Sequence, residues 1–105
     1  MKTHVIDLKE SIAYSPQAVV SKTLVGNKSG TMTLFAFDAG QNLSEHTAPF
    51  DAILQVLEGQ ALLVIGEDEV VASAGSMVIM PANVPHAVFA KERFKMLLTM
   101  IRDVE

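Results

Sequence analysis

At 105 residues the chain has the length of one domain, enough to bury a core of its own with little surface to spare. Half of the residues are apolar, 19% are charged, and the formal charge is −4 with no basic run, a balance far from disorder and poorly suited to nucleic acid or an anionic membrane. The lack of cysteine removes disulfides, thiolate metal sites and a thiol nucleophile together.

The first 15 residues mix Val5, Ile6, Leu8 and Ile12 with charges, as an extended arm or one short helical turn would, and Pro16 ends any helix there. Lys2, Asp7, Lys9 and Glu10 interrupt the apolar residues too often for a secretory leader. No run approaches the ~18 apolar residues of a membrane span. The expectation is a soluble, cytoplasmic protein. Beyond Pro16, short runs rich in Val, Ile, Leu, Phe and Thr predict strands over 17–25, 31–38, 52–57, 60–66, 69–73, 77–80, 86–91 and 94–102. Turn residues separate them at the spacing of an all-β sandwich or barrel, and Glu58-Gly59 suits a tight hairpin. No stretch carries a helical period, so residues 1–105 read as a single domain with an arm over 1–16 and a barrel over 17–102.

Three runs, Ala61 to Ile65, Met77 to Met80 and Met96 to Ile101, are apolar at nearly every position, so both faces of those strands need burial. One face fills the barrel and the other needs a second layer. The sequence predicts a homodimer packed through a sheet face; the alternative is that the N-terminal segment folds across that face within one chain.

Two stretches carry a family resemblance. From Gly40 to Gly59 a glycine is followed by His46 and then by an apolar strand closed by Glu58-Gly59, and the second stretch runs from Gly75 through Pro81 and Asn83 to His86. Together they resemble the two motifs of the small single-domain cupins, which implies a cupin-type double-stranded β-helix, or jelly-roll barrel. Metal-binding cupins have two histidines one residue apart and a glutamate in the first motif and a third histidine in the second. By that resemblance the first and third histidines fall on His46 and His86, but the second falls on Ala48 and the glutamate on Ala52, and neither alanine can bind a metal. The second motif's usual glycine is Asn83, and the asparagine that often follows its histidine is Ala90. The inherited metal site is half erased.

His46 and His86 are therefore the candidate ligand-pocket residues, at the barrel mouth if the family layout holds. Three readings stay open for them: a divalent transition metal completed by water or another side chain, a metal-free pocket for an organic ligand, and a structural rim. Asp51 is the nearest carboxylate. It lies one residue from the glutamate position, so it reaches the site only if a bulge or loop around Pro49 re-aims it; a local turn or cap role is the competing reading. Gln55, the one polar side chain between Ala52 and Leu57, is the other pocket candidate. Met32, Met77, Met80, Met96 and Met100 read as core filler. The only tyrosine, Tyr14, lies in the arm, so a histidine base has no evident partner acid. The function expected is binding of a small molecule in the barrel against His46 and His86. The alternative is a metal-dependent dioxygenase or isomerase with an incomplete histidine site.

Overall fold

The computed structural model describes residues 3–102. Nine strands follow in chain order: β1 (Val19–Asn27), β2 (Gly30–Phe37), β3 (Asn42–His46), β4 (Asp51–Glu58), β5 (Gln60–Ile65), β6 (Asp68–Ser73), β7 (Met77–Met80), β8 (His86–Phe89) and β9 (Phe94–Ile101). They form a five-stranded sheet in the order β1-β2-β9-β4-β7 and a four-stranded sheet in the order β3-β8-β5-β6. All pairings are antiparallel. Among the described residues there is no helix, as the missing helical period predicts.

The strand absent from the sequence-based expectation is β3. Its only apolar residue is Leu43, so no alternating pattern marks it, and it forms by pairing as an edge strand with β8. The expected hairpin at Glu58-Gly59 is also corrected. β4 lies in one sheet and β5 in the other, so the chain crosses between layers at this point. Gly59 makes the corner possible: its φ is +77°, and a Cβ there would lie 2.5 Å from the carbonyl oxygen of Arg93.

Alternation along the strands fills the space between the sheets. Leu54, Val56, Met80, Phe94 and Met96 from the larger sheet meet Ala61, Leu63, Ala72 and Val88 from the smaller, all of them buried. Phe37 and Phe94 stack with ring centroids 4.4 Å apart. A second apolar layer covers part of the other face of the larger sheet. Ile12, 6% exposed, packs on Leu34, Ala36 and Leu97, with Leu8 and Tyr14 beside it. The arm therefore does fold across that face within one chain. A turn at residues 8–11 shapes it, closed by the Ser11 hydroxyl donating to the Asp7 carbonyl at 2.6 Å. Tyr14 donates its hydroxyl to Glu58, Lys95 donates Nζ to the Lys9 carbonyl at 2.6 Å, and the Arg93 and Lys95 cations lie over the Tyr14 ring. Burial, and then the bond to Glu58, hold the Tyr14 phenol above its ordinary pKa, so it stays protonated and donating.

The arm leaves the β4–β7 side of the same face uncovered. Met77, Ile79 and Ile101 are 57%, 60% and 50% exposed there.

Candidate functional site

His46 ends β3 and His86 begins β8, and the two are cross-strand partners in the smaller sheet. Strict alternation would not bring both inward. Leu43 faces the lumen, and a residue three positions later belongs on the opposite face. The β3–β8 register slips between Leu43 and His46, and this irregularity turns the His46 ring back toward the lumen. His86 needs no such device, since it shares its face with Val88.

Each ring is anchored through Nδ1. His46 Nδ1 lies 2.8 Å from the Ser44 carbonyl oxygen, and His86 Nδ1 lies 3.2 Å from that of Val84. A carbonyl only accepts, so both hydrogens are assigned to Nδ1 and both Nε2 atoms present lone pairs in the neutral rings. Those two Nε2 atoms lie 3.1 Å apart, with the ring centroids 4.3 Å apart and the planes inclined at 66° in an edge arrangement. His46 is exposed and His86 is buried, so the pair forms a passage from solvent into the barrel. Burial pushes the His86 imidazole below its ordinary pKa, and His46 adds to that push against the Val84 carbonyl, which keeps His86 neutral around pH 7.

Behind the pair, Leu43, Leu54, Met80, Val88, Met96 and Leu98 close the lumen around a cavity of about 20 Å³. That is room for one water or one ion. An organic ligand can meet the pair only from the His46 side.

Asp51 and Gln55 do not join the histidines. On β4, Ala52, Leu54 and Val56 point inward, so Asp51 and Gln55, on the opposite parity, are exposed on the outer face. No bulge at Pro49 re-aims Asp51; its Oδ1 instead accepts the Ala82 amide at 2.9 Å, which ties the start of β4 to the loop before β8. Phe50 lies beneath the Arg102 guanidinium, 5.4 Å from it, rather than over the lumen. Among the described residues no three His, Asp or Glu side chains come close enough together to hold a metal. A set of three histidines and a glutamate therefore does not fit here. The lumen residues that sequence reasoning set aside are Met80 and Met96. Their signal lies in the ladder, because Met80 is the cross-strand partner of inward-facing Ala52.

A second concavity, an open groove of about 610 Å³, lies between β7 and the β5–β6 turn. Ile65, Val70, Val78 and Val84 form its walls, and Glu67 and Asp68 stand at its lip. It contains no histidine.

The family model for the cupin domain matches residues 33–101, which include every residue of the histidine site. The chain belongs to the cupin family. This cupin resembles a conserved protein of unknown function from Streptococcus pyogenes, with 31% identity, a TM-score of 0.92, and coverage of 100% of this chain and 92% of that one. It also resembles a cupin 2 conserved barrel domain protein from Leptotrichia buccalis, at 36% identity and TM-score 0.89, covering 92% of this chain and 47% of that one. A cupin superfamily protein from Desulfitobacterium hafniense is similar at 25% identity and TM-score 0.91, covering 98% and 94% of the two chains. No curated protein matches the chain. Within the cupin barrel the turn before His86 accounts for one departure from the family motif. Asn83 stands where the motif has glycine, and its φ is +65°. Asparagine is among the few residues other than glycine that take this conformation readily, so the turn survives the exchange. Among the described residues no helix is long and apolar enough to cross a membrane.

Proposed function

We propose that this cupin binds a small ligand against His46 and His86 and does not transform it. The observation that carries the reading is the approach of the two Nε2 atoms to 3.1 Å, with Nδ1 of each ring on a main-chain carbonyl. Two acceptors at that separation repel unless a hydrogen-bond donor or a cation sits against both. The ligand supplies that group. The carboxyl and phenol candidates for a third catalytic group at the pair point elsewhere: Asp51 accepts the Ala82 amide, and Tyr14 is bonded to Glu58 in the arm. The alternative, a metal-dependent dioxygenase or isomerase, would need donors at Ala48 and Ala52 that alanine lacks.

A thermal-shift screen of small alcohols, weak acids, amines and metal ions, run on the wild type and on His46→Ala and His86→Ala, tests this reading. A bound ligand stabilises the folded state according to its concentration over its Kd. The expected result is a shift in the wild type that both variants lose. Ligands that stabilise the variants equally would place the binding site elsewhere, with the groove beside β7 the first place to look.

We also propose that a second copy of the chain covers the exposed Met77, Ile79 and Ile101, the part of the larger sheet that the arm does not reach.

A further inference from the structure

The donor set of the lumen differs from that of a cupin metal centre, because one histidine and the charged carboxylate are gone. Besides the two imidazoles, the only side chains among the described residues that line the cavity with a lone pair to offer are Met80 and Met96, 2% and 0% exposed. Met80 stands beside Ala52 on the same face of the sheet, so a thioether lies next to the place of the family's carboxylate. All four donors are neutral. A divalent ion held by them would keep its full charge in an apolar lumen, at a high desolvation cost, whereas a monovalent ion keeps half of it. Thioether sulfur selects soft ions, and copper(I) is the soft monovalent ion of biology. The spacing of the two nitrogens suits one small cation, although the ring centroids, 4.3 Å apart, stand closer than the roughly 5 Å of two imidazoles on one metal, so binding requires a turn of the exposed His46 ring. Two imidazoles bonded to a single first-row metal at 2.0–2.1 Å and a tetrahedral angle hold their nitrogens about 3.3 Å apart, and His46 and His86 hold theirs at 3.1 Å. Both rings have the second nitrogen on a main-chain carbonyl, which fixes a ligating tautomer. The cavity, about 20 Å³, has room for one ion.

We infer that the lumen is a soft-cation site, in which Nε2 of His46 and His86 bind copper(I) together with the thioethers of Met80 and Met96. The inference rests on the same histidine pair as the binding reading and names the class of its ligand. It also gives the two methionines a role that core packing alone does not.

Anaerobic titration of the protein with copper(I) against a chromogenic copper(I) chelator, with zinc(II) and manganese(II) titrated separately, tests it. The expected result is one copper(I) per chain, bound at least about tenfold tighter than either divalent ion. His46→Ala should abolish binding, and the Met80→Leu, Met96→Leu double variant should weaken it about tenfold or more. Silver(I), a soft ion that does not cycle, gives a second readout in wild-type protein labelled at its methionine methyls. The Met80 and Met96 methyl resonances should move while those of Met32 and Met77 stay, and this holds even if the double variant folds poorly. Equal or tighter binding of zinc(II), unchanged copper(I) affinity in the leucine variants, or unmoved Met80 and Met96 methyls would overturn the inference. If histidine-dependent thermal shifts with other ligands persist while copper(I) fails to bind, only the soft-cation assignment falls. If no ligand of any kind responds to the loss of His46 and His86, the binding reading falls with it.

Discussion

His46 stands opposite His86 in the β3–β8 ladder, and it faces the lumen alongside Leu43 although three positions separate the two on one strand. The register slip between Leu43 and His46 makes this possible. Deleting Glu45 removes the extra residue, so His46 falls two positions after Leu43 and plain alternation should keep its ring on the lumen side without a bulge. Long-range nitrogen–proton spectra of the imidazoles read the outcome. The His86 resonances of the deletion variant should stay close to those of the wild type; resonances that coincide with those of His46→Ala would mean that the extra residue does more than compensate the register.

Asn83 holds a left-handed conformation at φ +65° and donates its amide to the Ala48 carbonyl at 2.8 Å, linking the turn before His86 to the loop after His46. Asn83→Ala should cost about 1 kcal/mol, the penalty of that conformation for a residue with an ordinary side chain. Asn83→Gly should be tolerated. Urea midpoints measure both, and equal midpoints for the alanine and glycine variants would show that the turn relaxes out of the left-handed region.

Asp38 joins the arm to the barrel. It accepts Arg93 Nε at 2.8 Å and the Gln17 amide at 2.7 Å. The Arg93 bond first, and the Gln17 amide second, hold its carboxyl below the ordinary aspartate pKa. A carboxylate depressed in the folded state stabilises the fold above its unfolded pKa of about 4, and that contribution fades as the pH falls through the folded value. The acid side of the stability profile, followed by denaturation midpoints from pH 7 to pH 2, should therefore be steeper below about pH 4 in the wild type than in Asp38→Asn. Parallel profiles would remove Asp38 from the account of acid stability.

Ile79 is 60% exposed at the centre of the patch that the arm leaves open. Ile79→Glu should convert the proposed homodimer to monomer, read as a halved mass by sedimentation velocity, with the melting temperature of dilute protein little changed. A wild type that is monomeric at high concentration would refute the dimer outright. The arm is a separate matter: Ile12→Ala empties a buried position over Leu34 and Leu97 and should cost about 2 kcal/mol in either oligomeric state.

Runs of β-branched and aromatic residues made most strands legible in the sequence, because those residues mark the half-buried faces on which strands depend. β3 was not legible: Leu43 is its one apolar side chain, and an edge strand of this kind is defined by its partner rather than by its own pattern. The corner at Gly59 was misread because glycine after a strand signals positive φ equally for a hairpin and for a crossing between layers. His46 and His86 could be found through the family motif, yet the inward aim of His46 depends on a bulge that no spacing rule announces. Asp51 and Gln55 had a signal that was outweighed by chemistry: alternation with inward Ala52, Leu54 and Val56 places both on the outside. Met80 and Met96 look like filler in one dimension, and only the ladder brings them to the histidines.

The crossing at Gly59 has a consequence for how the protein is made. The larger sheet is assembled from residues 19–37, 51–58, 77–80 and 94–101, and the smaller from 42–46, 60–73 and 86–89, so any continuous fragment that holds one sheet whole also carries strands of the other. The last of the described strands in chain order, β9, is also the middle strand of its sheet, lying between β2 and β4. A nascent chain halted before Phe94 has no way to join β1-β2 to β4-β7, and its apolar edges wait unpaired for chaperones or aggregation. Closure of the larger sheet accordingly waits for β9, at the slow pace that such distant pairings impose.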